Sequence, residues 1–203
     1  MLWTNEHAAN LKQYLESHTL PRGLGTKESA CSIAAINLAI DGRLTDNTPD
    51  CMSEVLGKAI INLQDQMPDD MRNSDRYRAM LMTAPGTGRE KEEKRLAVLM
   101  DWMWGTVLPQ LQTDADKKGF GDEWRIMCEQ RTYESASDAS FAARCYGASL
   151  AAAAARAASF AARADYDTAC AAYDAAYAAV CAAHRDFWQK VDPIGVLERM
   201  IEV

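Results

Sequence analysis

The stretch from Ala136 to Ala183, ASDASFAARCYGASLAAAAARAASFAARADYDTACAAYDAAYAAVCAA, decides the fold class. Half of its residues are alanine, none is proline, and Gly147 is the single weak point. Alanine has the highest helix propensity, so the whole stretch reads as helix. One uninterrupted helix of that length would run about 70 Å at 1.5 Å per residue, too long to pack against itself in a domain of this size. A break is therefore expected, near Ala164-Asp165, where Asp165 or Asp167 can cap a new start. The string ASFAAR occurs at Ala139 to Arg144 and again at Ala158 to Arg163. Their offset is not a whole number of helical turns, so on one helix the copies face different ways and read as low complexity.

Alanine faces bury little apolar area per residue, but they let helix backbones come close. An Ala-rich helix therefore asks for a partner helix, from its own chain as a hairpin or from a second copy in a closed symmetric oligomer. Beyond it lies the best-defined stripe of the sequence. Tyr166, Cys170, Tyr173, Tyr177, Cys181, His184 and Trp188 are spaced 4-3-4-4-3-4, on one side of a helix. Asp192-Pro193 ends that helix, and Val196, Leu197, Met200 and Ile201 make a short amphipathic terminal turn.

Upstream, helical periodicity continues. Ala8, Leu11 and Leu15 make a first helix, closed by His18 to Pro21. Thr26 is a good N-cap for a helix through Ile40, apolar nearly all round and therefore buried, with Gly42 as its stop. Thr48-Pro49 reads as an N-cap with proline in the first turn. The helix after it puts Met52, Val55, Leu56, Ala59, Ile60, Leu63 and Met67 on one face, with Ser53, Glu54, Lys58, Asn62 and Asp65 on the other. Shorter helices are expected at Asp69-Asp70 and over Ser74 to Met82. Another begins in the charge run Arg89 to Arg95, in which Glu92-Glu93 is read as a solvated face, and continues with Leu96, Leu99, Met100, Met103, Val107 and Leu111. Thr113 to Gly121 is the clearest loop. It divides an N-terminal bundle, 1–112, from Ala-rich C-terminal helices, 122–203. No alternating β-branched run signals a strand. The fold expected is all-α: a helical bundle carrying an Ala-rich C-terminal hairpin or long helix.

The run from Gly25 to Asp46, GTKESACSIAAINLAIDGRLTD, continuing to Pro49-Asp50-Cys51-Met52-Ser53, resembles a group of small bacterial and phage or prophage proteins. In these a similar core precedes an Ala-rich helical tail. The resemblance covers the first half of the chain, and the tail in composition only. It implies an accessory protein of the kind that binds and blocks host machinery. It carries over no functional residue, because the group has no established activity.

The rest narrows function by exclusion. The chain of 203 residues suffices for one domain or two small ones and needs no metal to fold. Its net charge of −7 repels bulk nucleic acid and anionic membrane. It is too mild, and too interspersed with bases, for a DNA mimic. The first residues, Met1 to His7, lack the pattern of a signal peptide, and no apolar run is long enough for a membrane span. The six cysteines form no CxxC pair, so reduced thiols in the cytoplasm are expected. His7, His18 and His184 are too dispersed for a metal site, and no cofactor motif is present. Gly86-Thr87-Gly88-Arg89 is not a phosphate loop, because acidic residues fill the turn that follows. Cys31, expected within a helix among apolar neighbours, is a poor nucleophile. No G-x-S-x-G elbow occurs.

What remains points to recognition. Arg144, Arg156 and Arg163 lie along the Ala-rich segment, and Tyr166, Tyr173, Tyr177 and Trp188 along the stripe. Tyrosine is a common residue of contact surfaces, and arginine with tyrosine makes a pocket for a planar anion. The sequence reading is a non-enzymatic, homo-oligomeric binding protein that engages a protein component of a host defence system. The alternative is a binder that sequesters a nucleotide signal through Arg and Tyr residues. A hydrolase is third.

Overall fold

The computed structural model describes residues 2–148, 151–152, 155–156, 158–159 and 185–203. They are predominantly helical, and the chain divides into two compact units. The first is Met1–Val98 together with Asp192–Val203; the second is Leu99–Val191. The expected break near Asp165 lies outside the described residues.

In the first unit, α1 (Asn5–Ser17) is capped by Thr4, whose hydroxyl accepts from His7 N, and buries Leu11 and Leu15. A two-residue hairpin follows, β1 (Gly25–Thr26) against antiparallel β2 (Ser29–Ala30). It replaces the first turn of the helix expected from Thr26. Gly25 has φ +74°, and a Cβ there would run into the carbonyl of Ser29. The amides a longer helix would use go elsewhere: Ala30 N to the Tyr14 hydroxyl (2.7 Å), Cys31 N to Leu24 O (3.1 Å) and Ser32 N to Gln64 Oε1 (2.6 Å). Helix α2 (Ser32–Asp41) then starts with Cys31, not Thr26, as its N-cap, and ends on Gly42 at φ +75°. Its all-round apolar surface is buried as expected.

The Thr48-Pro49 start is also corrected. Helix α3 (Glu54–Gln66) begins six residues later than Thr48, with Ser53 as N-cap. The reason is distant in sequence. The carboxylate of Glu92 accepts from Ser53 Oγ (2.5 Å), Glu54 N (2.6 Å) and Val55 N (3.4 Å), satisfying the amides of the first turn. Ser53, expected on the polar face, is buried for the same reason. The Glu92-Glu93 pair is accordingly only partly a solvated face: Glu93 is exposed, but Glu92 is half-buried, and Arg95 beyond it is 2% exposed.

Short α4 (Asp69–Arg72) and α5 (Asp75–Thr83, N-cap Ser74) complete the sequence-local part. The last helix, α11 (Pro193–Glu202), packs on α3 and α5 through Ile194, Val196, Leu197 and Met200. It is more than the single turn expected. Arg76 fastens it, donating to Asp192 Oδ1 at 2.8 Å and Glu198 Oε2 at 2.6 Å. Two buried arginines hold loop carbonyls. Arg72 donates to Leu20 O (2.7 Å), Met67 O (3.0 Å) and Gln64 O (3.1 Å). Arg95 donates to Thr87 O (2.8 Å), Gly88 O (3.0 Å) and Met200 O (3.1 Å).

Helix α6 (Glu92–Trp102) begins in the first unit and ends in the second. The chain continues through a π-helical turn (Met103–Val107) and a 3₁₀ turn (Leu108–Leu111) into α7 (Gln112–Lys118). The loop expected over Thr113 to Gly121 is therefore mostly helix. Its polar residues face outward while Ala115 is buried, and the break between helices is confined to Gly119 (φ +89°) and Phe120. Helices α8 (Gly121–Gln130) and α9 (Tyr133–Cys145) follow, the latter opened by a capping box between Thr132 and Ser135. The second unit is completed by α10 (Arg185–Val191).

Its core joins Trp124 and Phe120 to Ala136, Ala139, Ala143, Ala148, Ala152, Ala155 and Ala158. The Trp124 indole N–H is satisfied by Leu108 O at 2.9 Å, and that of Trp102 by Val191 O at 2.5 Å. These alanines, among the described residues, are covered within the second unit. The first break in the Ala-rich stretch falls at Gly147, φ +70°, just after the Tyr146 C-cap.

Two outcomes test this account. Arg95→Met strands three carbonyls in the first unit, so urea denaturation should show a loss of about 3 kcal/mol, whereas exposed Arg125→Met should cost under about 0.5 kcal/mol. Tyr77 is fully buried against Ser32 Oγ, and burial holds its phenol protonated well above the ordinary range. The folded state keeps this proton more tightly than the unfolded chain. Its stability contribution is therefore complete below about pH 10 and is lost as pH rises further. Thermal midpoints should fall less steeply above about pH 10 in Tyr77→Phe than in the wild type.

Candidate functional site

Helix α9 carries Tyr133, Ser137, Ser140 and Arg144 at 4-3-4 spacing, which puts all four on one face. After Gly147 the chain returns along α9. Its described residues 151–152, 155–156 and 158–159 are helical. The close approach is made by small residues: Ala136, Ala139 and Ala143 share a core with Ala152, Ala155 and Ala158. Ser140, only 4% exposed, donates its hydroxyl proton across to Ala152 O at 2.9 Å. Ser159 is as buried and donates to Arg156 O at 2.7 Å.

Between these segments lies a cavity of about 280 Å³, lined by Tyr133, Ser137, Ser140, Arg144, Arg156 and Ser159. Every one of these side chains ends in a hydrogen-bonding group, and no carboxylate is among them. Two guanidiniums, always charged, stand among its described lining residues. Two further cavities are lined differently. One, about 490 Å³ along α1 and α5, sets Lys12 and Arg78 against Glu16 and Asp75. Another of about 280 Å³, reaching Cys51, contains Arg43 already bound to Asp41 at 2.7 Å. The α9 cavity differs from the other two in its described lining, which holds two arginines and four hydroxyl side chains.

Of the residues singled out from sequence, Arg144 and Arg156 are brought to one cavity, from segments on either side of Gly147. Arg163, Tyr166, Tyr173 and Tyr177 lie outside the described residues. Trp188 is an interior residue, 3% exposed, with its ring edge-on to Phe187 at 6.2 Å between centroids. It offers little surface to a partner. The sequence reading missed Tyr133, Ser137, Ser140 and Ser159. The signal was present in the repeated ASFAAR: Ser140 and Ser159 are the same position of its two copies, and both line the cavity. The low-complexity reading assumed one continuous helix. The turn at Gly147 removes that assumption and lets equivalent serines face each other.

The alternatives for chemistry are weak. Cys31 is an N-cap rather than a mid-helix residue, and burial still raises its thiol pKa. Burial likewise pushes the Cys128 thiol up to about 11. Among the described residues no group of three His, Cys, Asp or Glu side chains could hold a metal ion, and no helix is long and apolar enough to cross a membrane. Comparison with known proteins finds no matching family model, no matching curated sequence and no matching solved structure.

Thiol reactivity gives a direct check. At pH 8, iodoacetamide followed by peptide mapping should label exposed Cys145 first, with Cys31 and Cys128 slower by at least about tenfold. Equal labelling of Cys31 would show an accessible thiolate that this packing does not allow.

Proposed function

We propose that this chain is a non-enzymatic binding protein whose second unit takes a small anionic ligand between Arg144 and Arg156. The observation that carries the reading is their convergence, from either side of the Gly147 turn, on a cavity whose other described lining residues are hydroxyl side chains. Arginine forks recognise phosphate and carboxylate oxygens in two-point geometry, and such charge-assisted bonds are the strong ones. The cavity, about 280 Å³, is below the size that encloses a drug-like molecule, so it suits a phosphate-sized group with a small attachment. This favours the nucleotide-signal alternative, with the phosphate end inside, over hydrolysis. The setting that fits it is a reduced cytoplasm.

A second reading keeps a protein partner, as in a phage-type antagonist of a host defence component. It is supported by Phe141 and Tyr146, which are 65% and 57% exposed, both on or just after α9. Aromatic residues so placed are typical anchors of a contact surface. A homo-oligomer through the alanine faces has less support, because those of 136–158 are covered inside the second unit.

Ligand-dependent stability tests the first reading. Thermal unfolding should shift upward with added sodium phosphate or 5′-AMP at constant ionic strength, by about 2.7 kcal/mol at a hundred times Kd. Arg144→Gln and Arg156→Gln should each weaken binding about tenfold or more while keeping the unliganded midpoint. A shift that survives both substitutions would falsify the cavity as the site. Capture of a host protein lost in Phe141→Ala and Tyr146→Ala, with no anion effect, would favour the second reading.

A further inference from the structure

We propose that α11 is an exchangeable helix: two copies of this chain trade Pro193–Glu202, and each copy's α11 fills the site on the other's α3 and α5. One residue decides it. Asp192 is the whole connection between α10, which ends at Val191, and α11, which starts at Pro193. The joint has no slack. On one side the Trp102 indole N–H donates to Val191 O at 2.5 Å, and on the other Pro193 is buried. Asp192 makes the turn at φ +44° and ψ +70°, in the left-handed region. There a Cβ crowds the following carbonyl, a strain that glycine escapes and aspartate does not. Pro193 adds a second conflict, because the residue before a proline is pushed towards extended backbone. An N-cap residue is ordinarily extended as well, so an extended Asp192 keeps its carboxylate for Gly195 N, which it holds at 3.2 Å.

The fit of α11 to its site opposes this strain. Ile194, Val196, Leu197 and Met200 are buried, and the helix packs on α3 and α5. Arg95 donates to Met200 O, and Arg76 pairs with Asp192 and Glu198. Arg76, Arg95, α3 and α5 all belong to Met1–Val98. Nothing in these contacts distinguishes the chain's own α11 from that of another copy; only the one-residue joint does. With Asp192 extended, α11 is carried away from its own site and reaches a second copy's. The second copy's α11 returns the exchange and closes a symmetric pair. The pair regains the apolar contacts, the Arg95 bond and the Glu198 pair, and it releases the strain at Asp192. Short hinges under strain are the ones that invite such an exchange.

Refolding the full chain from urea over a range of protein concentrations, followed by size-exclusion chromatography with light scattering, tests this. The dimer share should rise with the concentration at refolding. The isolated dimer should revert slowly on dilution, because each α11 must first leave its site. Inserting Gly-Ser-Gly between Val191 and Asp192 gives α11 the slack to reach its own site, and the dimer share should fall at least about tenfold. Pro193→Ala keeps the Asp192 carboxylate and lifts the push towards extended backbone, so it should lower the dimer share too. A chain that stays monomeric at every concentration overturns the proposal. So does a dimer that the insertion leaves untouched, since it forms through another surface. If the insertion variant does not fold, charge reversal decides. One chain carries Arg76→Glu and another Glu198→Arg, so each alone sets like charges across positions 76 and 198. Refolded together, exchange sets opposite charges across both, and the heterodimer should exceed its random share. A heterodimer at the random share overturns the exchange.

Discussion

Backbone carbonyls that end up away from water need donors, and in the first unit long polar side chains from inside the protein supply them. Arg72 gathers the carbonyls of Leu20, Gln64 and Met67, and Arg95 gathers those of Thr87, Gly88 and Met200. Gln64 does both jobs at once, accepting from Ser32 N and donating to Pro21 O. Buried guanidiniums are costly unless every donor is used, so each of these residues fixes several chain segments in one geometry. Helices α1 to α5 are short, and their apolar faces alone leave many arrangements open. The polar ties select one.

The second unit solves its packing differently. Trp124 and Phe120 provide bulk, and alanine provides proximity. Because alanine keeps the segments on either side of Gly147 close, short polar side chains can reach across, as Ser140 does to Ala152 O. Arginines of ordinary length then meet over the same gap. The cavity is thus a by-product of close helix approach interrupted by serine. Its described lining places two arginines at the interruption.

The helical class and most element types were legible in the sequence, because periodicity and capping are local. Gly42, Ser74 and Asp192 punctuate the chain where a local reading puts them. The errors share one cause. Thr26 and Thr48 are good caps by composition, yet the helices start at Ser32 and Glu54, because Tyr14, Gln64 and Glu92 come from far along the chain to bind the intervening amides. Arg95 stands in a run of charges that gives no local sign of its burial, and one of the three carbonyls it holds, Met200 O, is distant in sequence. For the site, Arg144 and Arg156 were legible as residues, but their meeting depends on the turn at Gly147. A long alanine run gave that turn little weight. Ser140 and Ser159 were hidden in a repeat whose meaning changes once the helix is broken.

The first unit is discontinuous, and this has a consequence for synthesis. A ribosome delivers residues in order, so Met1–Val98 emerges while α11 is still unmade, and the whole of Leu99–Val191 must follow before Asp192–Val203 arrives. Until then Arg95 lacks its third acceptor, Arg76 lacks both of its carboxylates, and α3 and α5 lack their covering helix. The inserted unit has all of its own residues first. The unit whose first residues appear earliest is therefore completed after the one inserted in it, when Asp192–Val203 has been made.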